Sequence, residues 1–68
     1  MVQLSGRNQL AGEIIEIKHG TVVSEVVVQV GENQIAGVIT TTSVNNMDLK
    51  PGDRVTALIK ATEVSFIK

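Results

Sequence analysis

Thr21-Val22-Val23-Ser24-Glu25-Val26-Val27-Val28-Gln29-Val30 is the stretch on which the fold turns. Side chains of a strand alternate between two faces. Val22, Ser24, Val26, Val28 and Val30 therefore share one face, and Val23, Glu25, Val27 and Gln29 the other. The first face is almost wholly branched aliphatic, the residue type that packs best on a pleated surface. The second is half apolar, which suits a strand covered on that side too, by another sheet layer or another subunit. Gly31-Glu32-Asn33 then reads as the turn of a hairpin.

Outward from this strand, the same alternation recurs. Residues 34–40 read as a strand with Ile35, Gly37 and Ile39 on one face; Gly37 inside it suggests a bulge, a sharp bend or a close backbone approach. Residues 11–18 read as a strand with Ile15 and Ile17 on one face and Ile14 and Glu16 on the other, ending at a His19-Gly20 turn. Residues 41–49 lose the alternation. Thr42 or Ser43 can act as an N-cap, and Val44 and Met47 sit three apart, so one or two turns of helix are expected. Leu49-Lys50-Pro51-Gly52-Asp53 follows as a β-turn, with Pro then Gly favouring type II. Residues 54–60 form a fourth strand, Ala61-Thr62 a bend, and Val64, Phe66 and Ile67 a short last strand with Phe66 in the core. The expected fold is all-β: an OB-like five-stranded barrel with one short helix between strands 3 and 4.

Composition agrees. Val occurs 11 times and Ile 7 times against a single Phe, in 68 residues that make one domain, residues 1–68. A chain of this size buries only about 60% of its unfolded surface. Small scaffolds add disulfides, metal or oligomerisation. With no Cys and one His, disulfides and thiolate metal sites are excluded, and a zinc site would have to borrow carboxylates or neighbouring subunits. Oligomerisation is the staple left.

Six basic and seven acidic residues, a formal net charge of −1, argue against coating nucleic acid or binding membranes through a polybasic patch. No apolar run approaches the ~18–20 residues that span a bilayer. The start Met1-Val2-Gln3-Leu4-Ser5 has no charged n-region leading into an apolar h-region, so a cytoplasmic location is expected.

Catalysis is poorly supplied. There is no Cys nucleophile, and His19 sits in an exposed turn. Glu13 and Glu16 alternate across a strand, which points them to opposite faces as solvated residues and not as an acid–base pair. No P-loop or dinucleotide fingerprint occurs. An OB-type nucleic-acid module would need exposed aromatics for stacking and a basic groove, and Phe66 is the only aromatic. An OB-type nucleic-acid or protein interaction module without an oxyanion ligand stands as the alternative, and the missing aromatics count against it.

Three small-residue, donor-rich segments remain. Ser5-Gly6-Arg7-Asn8 carries a Gly that lets backbone approach a ligand and one of only two arginines. Thr40-Thr41-Thr42-Ser43 sets four hydroxyls at the start of the expected helix, where free N–H groups and the positive dipole end suit an anion. Lys60-Ala61-Thr62 adds an ammonium and a hydroxyl. Each alone has a plain structural reading: a turn, a helix cap, a solvated strand end.

Taken together, these segments resemble the molbindin (Mop) family. Ser5-Gly6-Arg7-Asn8-Gln9-Leu10 is similar to the family's S-(A/G)-R-N-x-L opening. Residues 22–30, Val38-Ile39-Thr40 with Ser43-Val44, Leu49-Lys50-Pro51-Gly52-Asp53 and residues 55–62 extend the likeness over essentially the whole chain. The resemblance implies an OB-like barrel without catalysis that binds molybdate, and commonly tungstate, in the cytoplasm, with no other cofactor. It implies a homohexamer, a trimer of dimers, with oxyanion sites at subunit interfaces. The same domain also occurs on molybdate-responsive regulators and transport ATPase subunits, and the length here implies the free-standing storage kind. Carried over by position, the oxyanion-binding residues are Ser5, Gly6, Arg7, Thr40, Ser43, Lys60, Ala61 and Thr62. The family often has Ser at position 61 or 62. Ala61 offers only its N–H, so Thr62 has to supply the hydroxyl.

The chemistry suits that ligand. Molybdate is a tetrahedral dianion with four acceptor oxygens and no proton to give at neutral pH. A matching site is made of donors, and charge-assisted bonds from Arg7 and Lys60 are the strong ones. Sulfate is smaller, so cavity size separates it. Phosphate keeps part of its protons, and a donor-only site offers those no acceptor.

Overall fold

The computed structural model describes residues 8–68. The chain runs β1 (Asn8–Lys18), β2 (Val23–Val30), β3 (Asn33–Thr40), α1 (Thr41–Asn46), β4 (Arg54–Ile59) and a single 3-10 turn, Ala61–Glu63. The strands form one curled antiparallel sheet in the order β3-β2-β1-β4. This is the expected all-β, OB-like architecture with its short helix between the third and fourth strands.

The valine-rich strand behaves as its alternation predicts. Ser24, Val26 and Val28 are buried, and with Ile14 and Val44 the two valines make the core. Ile17, Val30, Ile39, Leu49 and Val55 pack around it. β2 starts at Val23 instead of Thr21: the Thr41 N–H to Val22 carbonyl bond (2.9 Å) is the last rung beside the Val23–Thr40 pair, and residues 21–22 bend away before it, which leaves Val22 exposed and not on the core face. Gly31 opens the β2–β3 turn with φ +58°, and Glu32 stays at negative φ, the signs of a II′ hairpin. Val30 and Asn33 pair directly across it.

β1 departs from its predicted phase. It carries a bulge between Ile14 and Glu16, so Ile14 opposes Val28 and Glu16 opposes Val27. Ile15 is the extra residue. Ile14 and Ile17, three apart, therefore share the core face, and Ile15 is turned outward and exposed. The bulge also brings Glu13 and Glu16 to the same, exposed face instead of opposite ones. Ile14 is held at this point by the 50–53 turn: its N–H donates to the Asp53 carbonyl (2.9 Å) and its carbonyl accepts from the Gly52 N–H (2.7 Å). That turn has the expected type II features, with Gly52 at φ +97° and the Asp53 N–H donating to the Lys50 carbonyl (3.1 Å).

Gly37 is neither a bulge nor a close contact. The β2–β3 register runs unbroken through it, and a Cβ there would meet nothing within 4 Å. The close approach falls at Gly12, where a Cβ would strike the Gln29 carbonyl oxygen and the Val28 and Val30 side chains.

The helix is capped two or three residues earlier than Thr42 or Ser43 would cap it. Thr40 is the N-cap, and its Oγ1 accepts the Ser43 N–H (3.1 Å). The far end closes as a Schellman motif, with Asp48 N–H on Asn45 O and Leu49 N–H on Val44 O, both 3.1 Å. Asp48 takes the left-handed conformation this needs, φ +52°. Val44 is buried and Met47, past the last helical residue, is exposed.

The last expected strand does not form. Four strands are present among the described residues, and residues 64–68 pair with none of them. The 3-10 turn bonds Glu63 N–H back to Lys60 O (2.9 Å) and turns the chain off the sheet. Phe66 is 90% exposed instead of in the core. Alternation is a local pattern, and a strand also needs an edge to pair with. β3 and β4 are the two open edges of the curl, and between them lies an apolar groove of about 210 Å³ floored by Ile14, Val26 and Val28. On the outer face Val23 and Val38 are exposed, with no further layer over them among the described residues.

Candidate functional site

The register decides where the donor-rich segments lie. Ile59 pairs with Asn8, so Lys60, Ala61 and Thr62 follow β4 off the end of the sheet where β1 begins. Thr40 pairs with Val23, and β2 starts there beside the end of β1, where Lys18 faces Glu25. Thr40 and Ser43 therefore sit at the opposite end from Lys60. β1 spans the interval in 11 residues, roughly 30 Å at about 3.3 Å per residue. Within one chain the two groups are not brought together.

At the first end the hydroxyls are ordered by one another. Thr40 Oγ1 donates to Ser43 Oγ (2.8 Å) while accepting the Ser43 N–H, so the Thr40 proton is already used. The Ser43 hydroxyl proton is the one left to give. Thr42 is exposed. Thr41 turns inward, donating to the Gly20 carbonyl (2.8 Å) and meeting the Ser24 hydroxyl at 2.7 Å. With only six residues, α1 has a weak macrodipole, so the side-chain hydroxyls and not the helix end carry the donor character here.

At the second end Lys60 is exposed at the start of the 3-10 turn and makes no side-chain cap bond. Among the described residues the lysine ion pairs are Lys18 with Glu25 (3.6 Å) and Lys50 with Asp48 (3.2 Å), and Lys60 has no carboxylate partner. Ala61 and Thr62 are exposed beside it. Ser5, Gly6 and Arg7 lie outside the described residues. Asn8, which follows them, ties the start of β1 to this end through Nδ2 to the Ile59 carbonyl (3.1 Å).

Sequence reasoning placed Asn8 and Thr41 only within donor-rich segments and Ser24 only on a strand face, and singled out none of the three. The signal for Ser24 was available: it is the single polar side chain on the apolar face of β2. The ends hold hydroxyls, an amide and an ammonium, groups that donate to an anion. Among the described residues no three His, Cys, Asp or Glu gather where they could hold a metal ion, and no helix is long and apolar enough to cross a membrane.

A small curled sheet with donor-rich ends and a capped helix between strands 3 and 4 is the frame of a known domain class. Residues 4–66 match the TOBE domain, and the chain belongs to that family. Within it, the chain is 37% identical over 67 residues to molybdenum-pterin-binding protein 1 of Clostridium pasteurianum, covering 97% of this chain and 98% of that one. A molybdate-binding protein from Sporomusa ovata superposes with a TM-score of 0.93 at 43% identity, covering 98% of this chain and 100% of the other. The cytoplasmic molybdate-binding protein ModG, solved with molybdate bound, superposes with a TM-score of 0.85 at 35% identity over 91% of this chain and 45% of its own.

Proposed function

We propose that this protein binds molybdate, and tungstate, without catalysis, as a cytoplasmic store or buffer, at sites formed between copies of the chain in a homo-oligomer. The observation that carries the interface reading is the separation of Thr40 and Ser43 from Lys60 by the length of β1. A tetrahedral oxyanion is only a few ångströms across, so one chain cannot wrap it with both groups. Two copies placed end against end can. In that arrangement Ser43 gives its free proton from one copy. Lys60, the Ala61 N–H and the Thr62 hydroxyl come from the other, with Ser5, Gly6 and Arg7 from the segment that precedes Asn8. Arg7 and Lys60 balance the dianion's two charges.

Three further facts support the reading. The relatives and solved neighbours named above carry molybdenum or molybdate in their names, and ModG is described as cytoplasmic. The exposed Val23 and Val38 on the sheet's outer face, with Phe66 and Ile67 on the tail, leave apolar surface for a second copy to cover. Finally, a ligand that bridges copies stabilises the assembly by mass action. The family resemblance sets the expected state as a hexamer, a trimer of dimers.

Titration calorimetry with molybdate, tungstate, sulfate and phosphate, with the mass followed by light scattering, tests this directly. Heat with the first two and a mass above that of one chain are expected. No heat with molybdate at micromolar protein removes the ligand, and a monomer under all conditions removes the interface. Mixing Ser43→Ala and Lys60→Ala chains one to one, then reassembling them, sharpens it: random pairing rebuilds about a quarter of the bridging sites, whereas sites confined to one chain stay impaired.

A further inference from the structure

Ser24 is 2% exposed and is the only buried polar side chain among the described residues. It lies on the core face of β2 in line with Val26 and Val28, where the pattern asks for another branched aliphatic. A hydroxyl taken out of water is unfavourable unless its bonds are made, and here they are made in one closed ring. The Thr41 hydroxyl has one proton and gives it to the Gly20 carbonyl (2.8 Å). Ser24 must then be the donor in the 2.7 Å contact between the two hydroxyls. The Gly20 N–H completes the ring by donating to Ser24 Oγ (3.3 Å). A fourth bond, Thr41 N–H to the Val22 carbonyl (2.9 Å), lies alongside.

The ring joins the loop of residues 19–22 to the first residue of α1. Thr40 and Ser43 stand on either side of that residue, bonded to each other at 2.8 Å. The loop backbone passes close to the start of β2 at Gly20, where an added Cβ would strike the Val23 carbonyl oxygen, so this close passage is open only to glycine. We propose that Thr41 and Ser24 are positioning residues for oxyanion binding: through the Gly20 ring they hold the first turn of α1 so that the Thr40–Ser43 pair presents its free proton in one geometry. This rests on the molybdate reading above and deepens it. Of the three threonines 40–42, Thr41 never touches the ligand, since its only proton is committed, and it acts through its neighbours.

The test uses the full chain and three variants. Thr41→Val keeps the shape and removes the hydroxyl, Thr41→Ser keeps the hydroxyl, and Ser24→Ala opens the ring from the core side. Molybdate affinity by calorimetry is read beside hydrogen exchange at the Gly20 and Ser43 amides. Thr41→Val and Ser24→Ala are expected to speed exchange at both amides and weaken molybdate binding about tenfold, while Thr41→Ser stays within about threefold of the parent. Val55→Ala, destabilised in the core on β4 and off the helix, is the control and should keep its affinity. Parental affinity in Thr41→Val with the Gly20 amide unprotected overturns the proposal, as does an equal loss in Val55→Ala. If Thr41→Val fails to fold, Ser24→Ala decides by the same criteria. A parent chain that binds no molybdate overturns the site reading itself, and that outcome is distinguished by the parent titration alone.

Discussion

The two ends of the sheet are built in opposite ways. At the Thr40 end, four hydrogen bonds tie residues 20, 22, 24 and 41 together, and Thr40 and Ser43 add two more. At the Lys60 end, the Asn8 side chain holds the last strand residue through one bond, and the cation stands clear in solvent. The first end supplies neutral donors whose direction has to be set in advance, because a hydroxyl rotates freely unless its acceptor side is occupied. The second supplies charge, which acts over distance and needs less exact placement. A dianion site assembled from both would take its geometry from one copy and most of its attraction from the other.

Lys60→Ala and Arg7→Ala should have the largest effect. Losing a charge-assisted bond costs about 1.5–3 kcal/mol, so molybdate affinity by calorimetry falls about 10- to 100-fold in each, while Arg54→Ala stays within about threefold. Equal losses in all three would mean that general charge, and not the Lys60 end, attracts the ligand.

Gly20→Ala comes next, because its methyl has no room against the Val23 carbonyl. Stability by urea denaturation should drop by about 1–3 kcal/mol. An unchanged midpoint would show that the loop at the Thr40 end is softer than its hydrogen bonds suggest. Thr40→Ala removes the N-cap and should cost about 1 kcal/mol in the same experiment, against no measurable change for Thr42→Ala. The reverse order would move the cap to where the sequence first suggested. Asn8→Ala, which removes a single half-buried bond to Ile59, should cost only about 0.5–1 kcal/mol. It should raise hydrogen exchange at the β1–β4 end and leave the Gly20 amide protected. Exchange spreading to Gly20 would mean the two ends are coupled through β1.

Much of this molecule is legible in the chain. The β2 alternation placed Ser24, Val26 and Val28 inward, the Pro51-Gly52 pair marked a type II turn, and the hydroxyl run marked the start of a helix between the third and fourth strands. Where reading by period failed, it failed for a shared reason. In Ile14-Ile15-Glu16-Ile17 the phase shifts by one residue, because the 50–53 turn claims both backbone groups of Ile14 and leaves Ile15 as the bulge. Phe66 has the composition of a strand and no strand beside it. Thr40, not Thr42 or Ser43, caps the helix because β3 ends there in an extended conformation, φ −68° and ψ 146°, the geometry a cap requires.

The site divides along the same line. Which groups can donate to an anion was determined by residue type alone: Ser, Thr, Lys and Arg in three short segments. Where those groups stand depended on register. β1 pairs with β4 at one end and β2 with β3 at the other, and only that pairing sets Lys60 and Thr40 a strand length apart. Only folding also turned Thr41 from one more exposed hydroxyl in a run into a partner of buried Ser24. Residue chemistry and periodicity are properties of neighbours along the chain. Strand pairing, the bulge and the closing of a hydrogen-bond ring join residues up to 51 positions apart, as Asn8 and Ile59 are, and those are decided by packing in three dimensions.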